Sequence, residues 1–390
     1  MDLGLLMHPL YEEAKKLIAG GSNLYSKRPE LHHPEGWPTY YREANGAVIT
    51  GLDGRRWLDF SGAGVGAAVL GWADADVDAA VIRAIQHGST SALLAPEEVE
   101  LARLMVLLHP WAGMCRFTRS GGEAMTVAIR IAQAYTGKPN IIHAGGYHGW
   151  HVSDPRNGDQ FIRWVEGQGL AAIIIEPSRL KEPEPGELEK WRQRAEANGA
   201  LLIYDEISSG FRRNLGGVHL NYSVTPDIAV FSKAMANGYP MGAVIGTEAV
   251  MAAAERTFIS STAWSERIGP TAAVATIQKM WAEDVFAHTE YIGSLIKNVV
   301  KYEAQQAGIE VSIAGPPQML HLDFKSPEVQ TLYTQLMMDH GILAGRDFYP
   351  TYAHTIEQCE QFSYAAKKVF HRLNDTKLLR GPAVGFGPRR

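Results

Sequence analysis

The sequence predicts an α/β protein, with one large domain on a mostly parallel sheet and a smaller α+β domain drawn from both chain ends. Three observations carry this. Short, continuously apolar runs such as AAIIIEP (171–177), ALLIYDEI (200–207) and PDIAVFSKA (226–234) recur between helical stretches. Runs of that kind suit strands buried on both faces by flanking helices. The regular alternation begins only near residue 75 and gives way after about 270 to longer helices with a few isolated strands. Finally, 390 residues exceed what one small core organises.

Taken in order, residues 9–19 read as a short amphipathic helix stopped by Gly20-Gly21, and an irregular stretch runs from Ser22 to Trp37. Strands joined by turns follow over 39–60, where Asn45-Gly46 and Asp53-Gly54 are strong hairpin dipeptides. The glycine-rich SGAGVGAAVLG (61–71) breaks that pattern. Helical periodicity marks 75–88 and 96–110; then come the strand MCRFT, a helix to about Thr136, and the strand NIIHA. After AAIIIEP, ALLIYDEI, PDIAVFSKA and GAVIG, helices fill about 270–307. An HLDF strand, a helix near 326–340, GILAGRDFY and a last helix near 355–373 complete the chain. The expected division is an N-terminal segment 1–45 joining the small domain, a large domain 46–285, and a C-terminal small domain 286–390.

Composition narrows the function classes. Hydrophobic residues at 46%, charged residues at 20% and a net charge of −5, with no basic run, give no footing for nucleic acid or an anionic membrane. The two cysteines, Cys115 and Cys359, lack CxxC spacing, which fits a reducing compartment, the cytoplasm. No signal-peptide pattern opens the chain, and no apolar stretch reaches the roughly 18–20 residues that span a bilayer.

Two residues stand at the centre of the chemistry. Asp205 and Lys233 each follow an apolar strand, at the C-terminal edge where open α/β sheets bind ligands. A lysine in that position ordinarily snorkels to solvent. Held in a cleft, its amine loses proton affinity and forms Schiff bases with aldehydes. A carboxylate on the neighbouring strand end can keep a pyridinium nitrogen protonated, which makes the ring an electron sink. Ser120-Gly121-Gly122-Glu123, between a strand and a helix, offers backbone N–H groups and a helix dipole to an anion. It fits neither GxGxxG nor GxxxxGK[ST]. In Gly146-Tyr147-His148-Gly149-Trp150-His151 an aromatic at a strand end can cover a flat heteroaromatic ring. His143, His148 and His151 have no matching carboxylate spacing, so no metal is expected.

In this order, the motifs resemble the class III, fold-type I PLP-dependent aminotransferases, near the glutamate-1-semialdehyde 2,1-aminomutase branch. GLDGRRWLDFSGAGVG, TRSGGEAMTVAIRIAQAYTGKPNII, GGYHGWH, IIIEP, LLIYDEISSGFR, PDIAVFSKAMANGYPMGAVIG, TFISSTAWSERIGP and FYPTYAHT carry the likeness over nearly the whole chain. The resemblance implies a seven-stranded sheet between helices and the cofactor pyridoxal 5′-phosphate, bound as a Schiff base to Lys233. Asp205 would meet the ring nitrogen, and Ile207 would pack under the ring opposite Tyr147. Ser120, Gly121 and Gly122 would hold the phosphate, with His148 and Glu176 lining the site. Thr262, with Ser261, would reach the phosphate of a partner subunit in a homodimer with composite sites. Ser22, Tyr25, Arg28 and Trp150 are candidates for the substrate side.

The implied reaction moves an amino group between an amine or amino acid and a keto acid, aldehyde or ketone. An intramolecular aminomutase, a racemase and a non-catalytic PLP-binding protein are the alternatives. The chain departs from the family pattern in five ways, one of them the extra residues in SSTAWSERIGP. Gly122 replaces the usual phosphate-loop threonine, and Ser232 rather than glycine precedes the lysine. The stretch from Gly149 to Ala171 is short, and no arginine lies in register with the family's substrate-carboxylate arginine.

Overall fold

A computed structural model describes residues 8–144, 146–154, 159–160 and 164–385 of the chain. The chain forms two compact units, one from Ala75–Phe286 and the other from the two ends, as far as Asp74 and from Ala287 onward. The first expected boundary, 45/46, differs from this division. The strands Tyr41–Asn45, Val48–Gly51 and Arg56–Phe60 pair with one another, and the third pairs with Ile342–Ala344. That hydrogen bonding ties residues 46–60 to the unit of the chain ends.

In the larger unit the strands are β1 (Met114–Thr118), β2 (Asn140–Ala144), β3 (Leu170–Ile175), β4 (Leu201–Asp205), β5 (Ile228–Phe231) and β6 (Gly242–Gly246). They form one sheet in the order β1-β6-β5-β4-β3-β2. β2, β3, β4 and β5 are parallel neighbours, whereas β6 runs antiparallel to both β5 and β1. The sheet therefore has six strands among the described residues, not the seven expected. Between β2 and β3 lies a short segment. Its described strands are a two-residue hairpin, Ser153–Asp154 with Asp159–Gln160, which pairs only with itself.

β3, β4, β5 and β6 are buried at every position, as continuous apolar runs require in a sheet covered on both faces. Helix α1 (Gly121–Thr136) lays Ala124, Val127, Ala128 and Ile131 onto this core, with Ile174, Ile203, Val230 and Val244 beneath. Each large aliphatic side chain so enclosed contributes about 1.5–3 kcal/mol. Gly137 closes α1 in the left-handed conformation at φ 68°, the usual glycine stop. The short wall is fastened at its far end by buried Asn140. Its amide donates to Val165 O (2.9 Å) and Gln168 O (2.7 Å) and accepts from Val165 N (2.8 Å).

The unit of the chain ends has its own core, in which Phe60, Ile292, Ile296, Leu322, Leu336, Phe362 and Phe370 pack together. Its last helix, Ile356–Phe370, starts with a complete capping box between Thr355 and Gln358.

Candidate active site

Register places three functional groups side by side. Ile175 of β3 pairs with Tyr204 of β4, so the next residues on these parallel strands are Glu176 and Asp205. Asp205 in turn pairs with Val230 of β5, and Lys233 follows just after that strand ends. All three emerge at the carboxyl edge of the sheet, where backbone groups are no longer consumed by the ladder.

Asp205 is 2% exposed and His148 is fully buried. His148 Nδ1 lies 2.7 Å from Asp205 Oδ2, and Asp205 Oδ1 accepts the Ile207 N–H at 3.0 Å. The imidazole donates through Nδ1, since an ionised carboxylate only accepts. The carboxylate is thereby fixed in direction. His148 thus meets the end of β4 directly. Behind this pair, Glu206 accepts from His219 N and Nδ1, both at 2.8 Å, and from the Ser209 hydroxyl at 2.6 Å, so the strand end is rigid.

At Lys233 the backbone has φ +47°, the left-handed region that a side chain enters at a cost of about 1–3 kcal/mol. Ser232 Oγ donates to Met241 O at 2.7 Å and anchors the turn to the start of β6. The Lys233 amine donates to Ser208 Oγ at 2.7 Å. Burial, followed by repulsion from the Arg179 guanidinium, lowers its pKa to about 8, while Asp205 and Glu176 pull the other way. Glu176 is shifted upward by burial, with Arg179 Nη1 3.6 Å from its carboxylate opposing that shift.

The anion cradle begins with Ser120, the N-cap of α1, whose Oγ accepts from Glu123 N at 3.2 Å. Glu123 returns the interaction to Arg119 N at 2.9 Å. The N–H groups of Gly121 and Gly122, at the first positions of the helix, have no intrahelical acceptor. A Cβ on Gly121 would meet Ile207 Cδ1 at 3.0 Å, so Ile207 packs directly on this backbone. Gly149, at φ +102°, crosses the cradle so closely that a Cβ there would stand 3.1 Å from Gly122 Cα. Gly149→Ala is therefore expected to lower stability by about 1–3 kcal/mol and to weaken cofactor binding. Thermal melts and a spectrophotometric titration with pyridoxal phosphate check this.

The remaining expected residues are placed as follows. Tyr147 is 44% exposed, and Trp150 stacks on His151 with ring centroids 3.6 Å apart. Thr262 is exposed at the start of the turn Thr262–Ser265, as is Ser261 before it. This segment is tied to the cradle by Arg119, which donates to Trp264 O at 2.8 Å and pairs with Glu266. Ser22, Tyr25 and Arg28 belong to the unit of the chain ends. There Ser22 bonds Leu24, and the Arg28 guanidinium lies 5.0 Å over the Tyr25 ring. Among the described residues, no three or more His, Cys, Asp or Glu side chains gather in a metal-binding arrangement.

Ser208 and Arg179 are members of the site that sequence reasoning did not single out. Both sit in irregular segments just past strand ends, and the EPSR and DEIS strings were the available signals. The loop bearing Arg179 is braced by Arg213, which bonds Ser178 Oγ at 3.1 Å and Glu182 at 2.7 Å.

The donor set fits a phosphorylated pyridine aldehyde: an amine with reduced proton affinity, a braced carboxylate, and a glycine cradle that side chains would fill. The sequence matches the family description Aminotransferase class-III over residues 32–153 and 160–370. It is 31% identical to the 3-aminobutyryl-CoA aminotransferase of Cloacimonas acidaminovorans (strain Evry), over 92% of this chain and 97% of that protein. With the glutamate-1-semialdehyde 2,1-aminomutase of Methanothermobacter thermautotrophicus it shares 28% identity, over 94% and 99% of the two chains. Among solved structures, an omega-transaminase from Sphaerobacter thermophilus superposes with a TM-score of 0.82 at 25% identity, covering 96% of this chain and 99% of that one. The FumI protein of Sphingopyxis sp. MTA144 gives 0.86 at 22% identity, covering 96% and 98%. The chain therefore belongs to the class-III aminotransferase family, as a fold-type I enzyme whose cofactor is pyridoxal 5′-phosphate.

Proposed function

We propose that the chain transfers an amino group from an amine or amino acid to a keto acid, aldehyde or ketone, with Lys233 as the residue that carries the cofactor covalently. What supports this reading is the lowered proton affinity of Lys233, next in register to the braced carboxylate of Asp205. The bound cofactor supplies an aldehyde and an electron-withdrawing ring that spreads the charge left when a substrate carbon loses its proton. Asp205 would face the ring nitrogen and favour its protonated form, and His148 holds the Asp205 carboxylate in place. Gly121 and Gly122 would hold the phosphate, and Ile207, packed on Gly121, would support one face of the ring. Lys233 Nζ would move the proton as a neutral base, with Ser208 fixing where the amine rests.

Arg179 supports a substrate with a negatively charged group, since its guanidinium stands beside Glu176 and bears on Lys233. Arg179→Gln is expected to raise KM for carboxylate-bearing donors about 10–100-fold, the range of a lost charge-assisted hydrogen bond, and to spare simple amines. The same change removes a positive neighbour of Lys233. The rate of covalent cofactor attachment rises with pH as the amine deprotonates. Its midpoint, near pH 8 in the unaltered chain, should move upward. Rapid-mixing absorbance across pH measures both.

A homodimer is part of the proposal. Exposed Thr262 and the exposed apolar side chains of Leu93, Leu94 and Phe258 support a second copy covering this unit, with Thr262 and Ser261 reaching the partner's phosphate. Light scattering reads the mass directly. Both cysteines are free, and no described helix is long and apolar enough to cross a membrane; these support a cytoplasmic place. The aminomutase relatives keep an intramolecular transfer as the second reading. Isotope exchange into an added keto acid separates the two, because a mutase returns the amino group to the molecule that gave it.

A further inference from the structure

We propose that His151 is a ligand of the cofactor's phosphate group, its imidazole taking both the space and the donor role of a side chain at position 122. This rests on the reading that Gly121 and Gly122 form the phosphate cradle. Position 122 has no side chain, and the space where one would stand is already filled. A Cβ built on Gly122 would lie 2.9 Å from His151 Nδ1 and 3.2 Å from Cε1. Glycine at 122 and an imidazole from 151 are thus two halves of one arrangement.

The ring is held there rather than resting there. Trp150 stacks on it at 3.6 Å between centroids, with planes 29° apart, and Trp150 Cδ1 is itself 3.7 Å from the Gly122 Cβ position. The backbone arrives through Gly149, whose glycine-only approach to Gly122 Cα leaves no room for the segment to sit further out or in. Just beyond, Val152 donates its N–H to Gly149 O at 3.0 Å and buries its side chain in the core of the larger unit.

His151 Nδ1 is buried and makes no hydrogen bond within the protein. A ring nitrogen enclosed without a partner is unfavourable, and a phosphate oxygen at the start of α1 relieves that cost. Burial depresses the proton affinity of the ring, against the pull of the Glu123 carboxylate. A neutral ring carrying its proton on Nδ1 suffices as a donor.

The test uses the full chain stripped of cofactor and titrated with pyridoxal phosphate and, separately, with pyridoxal, following the bound-cofactor absorbance. His151→Ala is expected to weaken pyridoxal phosphate binding about 10–100-fold and to leave pyridoxal binding unchanged. Adding Gly122→Ser to that variant puts a hydroxyl into the vacated space and should restore most of the loss; Gly122→Ser alone, against the intact imidazole, should weaken binding. Unchanged pyridoxal phosphate affinity in His151→Ala overturns the proposal while leaving the cradle in place. Equal losses for both compounds overturn it too, since His151 would then support the loop and not the phosphate. An unaltered chain with no preference for pyridoxal phosphate over pyridoxal refutes the cradle itself. Should His151→Ala fail to fold, the Nδ1 resonance of His151 in the ¹⁵N-histidine-labelled unaltered chain decides. It shifts on adding pyridoxal phosphate but not pyridoxal if the ring binds phosphate, and no difference overturns the assignment.

Discussion

Lys233→Ala is expected to abolish covalent cofactor binding and to reduce turnover by about 10⁴-fold or more. The substitution removes two functions at once, because the same amine anchors the cofactor and moves the proton. Nothing nearby replaces it in kind. Ser208, its hydrogen-bond partner at 2.7 Å, is a hydroxyl and a far weaker base. The fold should survive, since the site gives up a partly desolvated cation and one hydrogen bond. Loss of the absorbance of covalently bound cofactor, with an unchanged melting profile, is the expected pair of results. A variant that kept both the absorbance and the turnover would remove Lys233 from the mechanism.

Asp205→Asn should lower kcat/KM by about 10²–10⁴-fold while leaving the cofactor attached through Lys233. The amide matches the carboxylate in size and accepts from His148, but it cannot hold a proton on the ring nitrogen by charge. Asp205→Ala goes further. It strips His148 Nδ1 and Ile207 N of their acceptor in a closed site, and breaking a buried pair of this kind costs about 3–5 kcal/mol. The asparagine variant therefore separates catalysis from stability, and the alanine variant combines them. Steady-state kinetics and thermal melts on both distinguish the two contributions. Full activity in the asparagine variant would show that the carboxylate's charge is dispensable.

The parts of this architecture legible in the sequence are those encoded locally. A run such as IAVFSK declares a buried strand and the charged residue leaving it, and the structure finds Lys233 just past β5. SGGE announces a helix start, and Ser120 does cap α1. What escaped depends on how distant segments cross. Arg179 bears on Lys233 from the loop after β3, which Arg213 braces. The YHG histidine reads only as a residue lining the site, and its contact with the end of β4 is one that no local pattern encodes. The strand count differs among the described residues, where the two short strands before β3 pair with each other; sheet membership is a choice of partner rather than a property of composition.

The close passage of Gly149 over Gly122 also bears on descent. A mutation that added a side chain at 122 alone would strike the imidazole, and one that exchanged the histidine alone would leave a hollow beside the helix start. Neither single step is comfortable, so positions 122, 149 and 151 are expected to be inherited as a block. Lineages that carry a hydroxyl residue at 122 should show a smaller residue at 151, with few sequences mixing the two solutions.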